Sequence, residues 1–513
     1  MFFNFSKSKF VACHTGCNKY AWLDLYRTNE KAPVSDFTES LFDNGNKVGE
    51  LAKQYFNIEA DVTVLREDGT PDTYAMITAT KNHLVNGTKL LAEASFDFGG
   101  LFCSVDILEK NDDGSYNINE VKSAKIQKPT KNNADGVDKQ YVVDAAYQQY
   151  VLEKCGIRIK QVFVVMLSDD YVRGKDLDLD KYFVRRDVTT YTQDLQSWVK
   201  DKLSEIELVL NCSSEPTSSI TPNCKGCDYF GYCSKSFPSP SPFDIYSLKF
   251  SRKCELYNKG VSFFDAPKYA KLKPAALKQI EYYNRPSDTY VNKARIQEFL
   301  DSIRFPLYSL DFETYQATVP EHEGIKTGEP IPFQYSLHIM KVEDGDYREG
   351  SDDLDESHFL DVSGGDPRRA IAESLVKDIP FGACVVACHM STESGIIKKL
   401  AGLFPDLSEH LLSYEYVDPQ PLFQKGYYYV KAMGGSFSLK RILPALYPDD
   451  PDMDYHNLEG EVKNGVQAMN AIAKIHEVSG EEAEKLRQDL IKYCGLDTFA
   501  VVKILKKLYE VVK

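Results

Sequence analysis

The sequence predicts an α/β protein built in separate halves, and three observations carry that expectation. Short runs rich in β-branched and aromatic residues alternate with segments of helical apolar period, the pattern of strands interleaved with helices. The stretch Ser234-Lys235-Ser236-Phe237-Pro238-Ser239-Pro240-Ser241-Pro242 can continue neither a helix nor a central strand, so it divides the chain. The length of 513 residues exceeds what one core supports, and length alone suggests about three domains. The expected boundaries are 1–236 for an N-terminal α/β domain, 237–300 for a helical connector and 301–513 for a second α/β domain.

In chain order, residues 41–56 read as a helix with Val48, Leu51, Ala52 and Tyr55 on one face. Strands are expected over 101–109 and 116–124, with the turn signal Asn111-Asp112-Asp113-Gly114 between them. A helix over 140–155 and the apolar strand Val162–Leu167 follow. Residues 243–300 are polar and aromatic with short helical patterns, which suits a connector. The last segment opens with a strand over 306–312, carries a second apolar strand at 383–388, and closes with a helix over 481–511. The face of that helix holds Leu486, Leu490, Tyr493, Val501, Ile504, Leu505 and Leu508. No internal repeat is present.

Composition narrows the function classes. A 43% apolar share with 12% aromatics is enough for folded cores and argues against wholesale disorder. No apolar run reaches the length of a membrane span. The first residues, Met1 to Lys7, lack a signal-peptide apolar region and cleavage site, so a soluble cytoplasmic protein without membrane partners is expected. A net charge of −15 disfavours a protein that merely coats nucleic acid, yet it suits an enzyme whose acids are offset by bound cations. The lysine run Lys122, Lys125, Lys128 and Lys131 is either a solvated loop or a set of phosphate contacts. No phosphate-cradling Gly-x-x-x-x-Gly-Lys-[Ser/Thr] loop occurs, which disfavours an ATP-driven enzyme.

Acidic residues within strand patterns are the most informative feature, because a buried carboxylate is costly unless a cation or proton compensates it. In the first half Glu120 and Lys122 share a strand face. With a five-residue loop from Asn111 to Ser115, Asp106 falls directly opposite Glu120. Like charges so paired repel, and a divalent cation between them resolves the repulsion. Lys122 would then orient a water or offset charge on a phosphate, and Glu50 would complete the metal shell. The strings Gly45-Asn46-Lys47-Val48-Gly49-Glu50, Val105-Asp106-Ile107-Leu108 and Glu120-Val121-Lys122-Ser123 resemble the PD-(D/E)xK nuclease superfamily, specifically its RecB-like exonucleases. Where that family often carries a histidine this chain reads Gly49, and its Gln-x-x-x-Tyr helix corresponds loosely to Asp144-Ala145-Ala146-Tyr147-Gln148-Gln149-Tyr150.

Twelve cysteines are many for a cytosolic chain, where disulfides rarely persist. Cys103, Cys155, Cys384 and Cys494 sit in apolar contexts and read as small core residues. Cys224, Cys227 and Cys233 form a C-x2-C-x5-C run that needs a fourth ligand. Cys17 is the first choice, with Cys13 and Cys212 as rivals. One distant upstream cysteine plus this run resembles the staple of CRISPR-associated RecB-like exonucleases and the AddB-type nuclease domain, which implies a 4Fe-4S cluster. A structural Zn²⁺ is the alternative.

In the second half Asp311 and Glu313 are two apart on a strand, with Leu310 and Phe312 facing away. Tyr493 and Asp497 are four apart on a helix and share a face. This combination resembles the tyrosine-containing branch of the DEDD family of RNase H-like 3′–5′ exonucleases. The resemblance implies an RNase H-like mixed sheet and a fourth acid at Glu393, within Cys388-His389-Met390-Ser391-Thr392-Glu393. Two Mg²⁺ or Mn²⁺ ions about 4 Å apart would be held by Asp311, Glu313, Glu393 and Asp497, with Tyr493 orienting the attacking water. Asp418 and Gly435-Ser436-Phe437-Ser438-Leu439-Lys440 would support the site, and Gln334 would contact substrate or make a core hydrogen bond. Both halves in this order, and Ser309-Leu310-Asp311-Phe312-Glu313-Thr314, resemble an uncharacterised bacterial family joining these two nuclease-like domains. The expected function is therefore metal-dependent cleavage of DNA or RNA at single strands or ends. The alternative is a nucleic-acid-binding scaffold in which one or both nuclease-like domains are inactive.

Overall fold

The computed structural model describes residues 5–130, 133–341 and 354–513. The fold is mixed α/β, and contacts divide it into two compact units, Met1–Ser236 with Ala317–Glu329 and Phe237–Gln316 with Pro330–Lys513. The division falls inside the Pro/Ser stretch. Residues 237–300 group with the second unit, and 317–329 group with the first, a placement no sequence feature marked.

The first unit is built on a seven-stranded mixed sheet. Its strands are β1 (Phe5–Ser6), β2 (Ala60–Asp61), β3 (Leu90–Phe98), β4 (Leu101–Lys110), β5 (Tyr116–Lys125), β6 (Ile159–Leu167) and β7 (Phe183–Asp187). They run in the order β2-β3-β4-β5-β6-β7, with β1 added parallel to β4. The helices that matter are α1 (Lys7–Thr15), α2 (Lys19–Tyr26), α3 (Asp36–Phe56), α4 (Thr73–Asn86), α5 (Lys139–Lys154) and α6 (Gln196–Leu210). Alternation along β6 explains the layering. Val162, Val164 and Met166 pack into the core shared with α1, α5 and α6, whereas Val165 and Leu167 pack with Val48 and Ala52 of α3. The α3 helix starts earlier than its apolar stripe because Ser35 caps it, accepting from the Thr38 N–H at 3.2 Å, and Asp36 and Glu39 favour the first turn.

The second unit carries the strands β8 (Thr289–Val291), β9 (Leu307–Tyr315), β10 (Ile331–Met340), β11 (Leu354–Leu360), β12 (Cys384–Val386), β13 (Glu415–Val417) and β14 (Tyr428–Val430). Five of them form the sheet β11-β10-β9-β12-β13, antiparallel on the β10 side of β9 and parallel on the β12 side; β8 pairs with β14. The helices of more than seven residues are α7 (Phe250–Asn258), α8 (Pro274–Tyr282), α9 (Lys293–Leu300), α10 (Arg368–Asp378), α11 (Ser391–Leu403), α12 (Leu439–Leu446), α13 (Gly465–Ile475) and α14 (Glu481–Val512). One sheet face sends Leu310, Phe312, Tyr335 and Leu337 into an apolar core with α10 and α11.

The opposite face is different. Ser309, Asp311 and Glu313 of β9 stand in register with His338, Ser336 and Gln334 of β10, which makes a polar ladder beneath α14. Buried polar groups need partners, and the helix supplies them. Ser309 Oγ donates to Thr498 O at 2.9 Å, Gln334 Nε2 donates to Leu490 O at 2.9 Å, and Ser336 Oγ lies 2.9 Å from Thr498 Oγ1. These bonds fix α14 over the acids. Gln334 therefore serves the core.

In the first unit Tyr147 Oη, fully buried, donates to Phe5 O at 2.8 Å and ties the N-terminal strand to α5. We expect Tyr147→Phe to lower the urea-unfolding free energy by about 1 kcal/mol; an unchanged unfolding curve would show that the bond is dispensable.

Candidate functional site

In the second unit β9 and α14 bring the acids together. Among the described residues, Asp311, Glu313 and Cys494 form a group whose ligand atoms all lie within 4.8 Å of one another. Cys494 had read as a core residue, but it occupies the turn between Tyr493 and Asp497, and its sulfur lies 3.9 Å from Asp311 Oδ2. Asp497 joins the cluster from one turn along α14, where Tyr455 Oη donates to its Oδ1 at 2.6 Å. Glu393, in the first turn of α11, is 5% exposed, and its Oε2 has no hydrogen-bond partner among the described residues. Asp418 prepares that turn by accepting from the backbone N–H groups of His389, Met390 and Gln420 at 3.4, 3.2 and 2.8 Å. Asp418 is thus a positioning residue.

The electrostatics of this cluster are those of acids short of cations. Burial first, then the charges of Asp497, Glu313 and Glu393, push the Asp311 carboxyl well above its usual range. Burial and Asp497 raise Glu313 against the pull of Lys440. Burial raises Asp497 too, opposed by the Tyr455 bond and by Lys440. Burial lifts Glu393 to about 7. Lys440, at the start of α12, places its ammonium 3.3 Å from Tyr493 Oη and 5.0 Å from the centre of that ring. Burial and the neighbouring carboxylates also push the Tyr493 phenol above its usual range, so Tyr493 keeps its proton.

The first unit holds a second cluster with a different charge balance. The β4–β5 pairing runs from Lys110↔Tyr116 to Ile107↔Asn119 around the loop Asn111–Ser115, and one further step sets Asp106 opposite Glu120. The β3–β4 register similarly sets Glu93 abreast of Asp106, where Glu93 adopts the left-handed φ of 56°. The Val121 N–H donates to Asp106 Oδ2 at 2.6 Å. Lys122 Nζ bridges Glu120 Oε1 at 2.7 Å and Asp144 Oδ2 at 2.6 Å. Lys7, the first residue of α1, donates to Glu120 Oε1 at 2.8 Å and Oε2 at 3.0 Å and lies 3.8 Å from Asp106 Oδ1. Gln148 Nε2 donates to Glu120 Oε2 at 2.7 Å. Burial works against ionising Glu120, yet Lys122 and Lys7 hold its carboxyl well below the usual range. Asp106 goes the other way, raised by burial and by Glu120.

Asp106, Glu93, Lys122 and Glu50 line one pocket of about 470 Å³. Glu50 does not enter the acid cluster, however. Its side chain lines that pocket, 68% exposed and paired with Lys53 at 2.7 Å, whereas Glu93 lies abreast of Asp106. Of the lysine run, Lys122 turns into the site, Lys125 pairs with Asp169 at 2.9 Å, Lys128 is exposed, and Lys131 lies outside the described residues.

Cys17, Cys224, Cys227 and Cys233 all line one small cavity of about 70 Å³. Cys13 is buried and Cys212 is exposed, and neither lines it. Burial raises the Cys227 thiol to about 11, with Cys17, Cys224 and Cys233 adding to the shift. The four thiols share a cavity, yet no three of their sulfurs lie within 4.8 Å of one another, so they stand farther apart than the donors of a single tetrahedral ion.

Several site residues were not singled out from the sequence: Lys7, Glu93, Tyr455 and Cys494, with Lys440 noted only inside a supporting stretch. Glu93 alone carried a readable signal, an acid inside the apolar run Leu90-Leu91-Ala92-Glu93-Ala94-Ser95-Phe96.

A family profile described as a domain of unknown function (DUF2779) matches residues 308–438. The matched stretch takes in Asp311, Glu313 and Glu393 and stops short of Tyr493 and Asp497. No match to a curated protein was found. No helix among the described residues is long and apolar enough to cross a membrane.

The raised carboxyls give a pH signature. A carboxyl whose folded value lies above its unfolded one stays protonated in the fold where the open chain has ionised, so stability falls as pH rises across that interval. For Glu393 the interval runs from 4.5 to about 7; Glu120, held low, is ionised throughout it. We expect chelator-treated protein to lose melting temperature across this window, and Mn²⁺ to restore it. Glu313→Gln should shrink the loss. A melting temperature unaffected by both pH and Mn²⁺ would contradict the assignment.

Proposed function

We propose that the protein is a metal-dependent nuclease whose principal centre comprises Asp311, Glu313, Glu393, Asp497 and Tyr493, and that it hydrolyses phosphodiester bonds of DNA or RNA at single strands or ends. The observation that carries the reading is the convergence of buried carboxylates on β9, α11 and α14 with too few cations to balance them. Such a set is stable and useful when divalent cations complete it. Mg²⁺ or Mn²⁺ bound there would activate a water and stabilise the leaving oxygen.

The chain's own residues supply the rest. Asp311 and Glu313 offer carboxylates from adjacent positions on one strand face. Tyr455 fixes the rotamer of Asp497 through its 2.6 Å hydrogen bond. Tyr493, protonated and steadied by Lys440, presents a hydroxyl that can orient an attacking water. Lys440 itself offsets negative charge developing beside the acids.

For the first unit we propose a second nuclease centre in which Asp106 and Glu120 bind the cation and Lys122 faces the phosphate. A different reading of that unit has its own support. Two ammonium groups already occupy Glu120, which favours a role in gripping nucleic acid without cutting it. Cys17, Cys224, Cys227 and Cys233 would hold a 4Fe-4S cluster, or alternatively Zn²⁺, that staples the N-terminal helices to residues 224–233.

Cleavage of end-labelled single- and double-stranded DNA and RNA with Mn²⁺ tests these assignments separately. Asp311→Asn with Glu313→Gln should reduce cleavage at least about 100-fold, and Lys122→Ala should remove whatever activity the first unit has. Unchanged cleavage in both variants, or no cleavage of any substrate by the unaltered protein, would sink the nuclease reading. A brown protein absorbing near about 400 nm, with the colour lost in Cys227→Ser, is expected for the cluster. A colourless protein with stoichiometric zinc would refute it.

A further inference from the structure

We infer that Cys494 is a metal donor of the Asp311–Glu313 centre, and that this sulfur makes the centre favour a divalent ion of the transition series over magnesium. The inference deepens the reading of that centre as a cation site and rests on it.

Geometry places Cys494 there. The residue is fully buried, and among the described residues it belongs to none of the apolar clusters that its α14 neighbours Tyr493, Val501 and Leu505 help to build. Its Sγ lies 3.8 Å from Asp311 O and 3.9 Å from Asp311 Oδ2, and within 4.8 Å of the Glu313 carboxylate. Donors sharing one ion at bond lengths of about 2.0–2.3 Å stand about 3–4 Å apart, so rotamer adjustments alone can bring these three onto a common ion. A second observation points to the same place. Glu393 Oε2 is a buried oxygen with no hydrogen-bond partner among the described residues, and its charge acts on Asp311.

The donor chemistry sets the preference. Magnesium demands near-ideal octahedral oxygen coordination and keeps its waters. A thiolate beside two carboxylates suits zinc, cobalt, iron or manganese better, and affinity rises along the Irving–Williams series. Binding is balanced by the thiol releasing its proton to solvent as the sulfur–metal bond forms. Serine keeps nearly the same shape with oxygen for sulfur and alanine removes the γ atom altogether, so the pair separates the chemical role from mere packing.

Cobalt(II) titration of the full chain reads this directly, because thiolate ligation gives a near-ultraviolet charge-transfer band that carboxylates do not give. Spectra are taken as differences from Asp311→Asn, so thiolates at Cys17, Cys224, Cys227 and Cys233 cancel. We expect an Asp311-dependent band in the unaltered protein that is lost in Cys494→Ser and in Cys494→Ala. Cobalt affinity should fall at least about 10-fold in both variants, while magnesium affinity changes far less. Matching far-ultraviolet circular dichroism certifies that the variants are folded. Asp311-dependent cobalt binding without the band, or a band that survives in Cys494→Ser, overturns the inference and leaves the cation site standing. Equal cobalt uptake by the unaltered protein and Asp311→Asn overturns both.

Discussion

A carboxylate removed from water must find a cation or keep a proton, and both candidate centres are organised by that constraint. The first unit meets it internally at Glu120, though not at Asp106. Lys7 and Lys122 both lie within 3 Å of Glu120, and the carboxyl is held low. The second unit meets it only in part. Lys440 is the ammonium that acts on Glu313 and Asp497, and the acids around it are pushed up. A buried glutamate is therefore held low where Lys7 and Lys122 both reach it, and pushed up where Lys440 alone opposes its burial.

The acids of the second unit are held together by hydrogen bonds as well as by the apolar contacts of α14 with Leu307, Phe333 and Met340. The face of β9 and β10 beneath α14 is lined by Ser309, Gln334, Ser336 and His338, and the helix answers through Leu490 O and Thr498. Each of these groups would be an unpaired buried polar atom if α14 shifted by a turn. The register of Tyr493 and Asp497 over Asp311 and Glu313 is thereby specified, at the expense of burying a layer that apolar residues could have filled.

Much of this was legible in the sequence, for local reasons. Period-two alternation set Leu310 and Phe312 against Asp311 and Glu313, and the five-residue turn from Asn111 to Ser115 fixed the parity that sets Asp106 opposite Glu120. Helical spacing put Tyr493 and Asp497 on one face. The remainder depended on approaches between distant segments, which no local period encodes. Lys7 reaches Glu120 across 113 positions, and Tyr455 reaches Asp497 across 42. Cys494 looked apolar because its neighbours in the chain are, although its neighbours in space are carboxylates. Helical spacing put Glu50 on the pocket that Asp106 lines, but could not show that Lys53 pairs with it. Gln334 read equally well as a substrate contact until the helix above it was known.

The central claim is that the cluster on β9, α11 and α14 exists to hold a divalent cation. Manganese anomalous diffraction from crystals of the full chain tests it most directly. The account predicts a peak about 2.2 Å from carboxylate oxygens of Asp311, Glu313 or Asp497. Manganese found only at surface acids, with these carboxyls bonded among themselves or to Lys440, would contradict it.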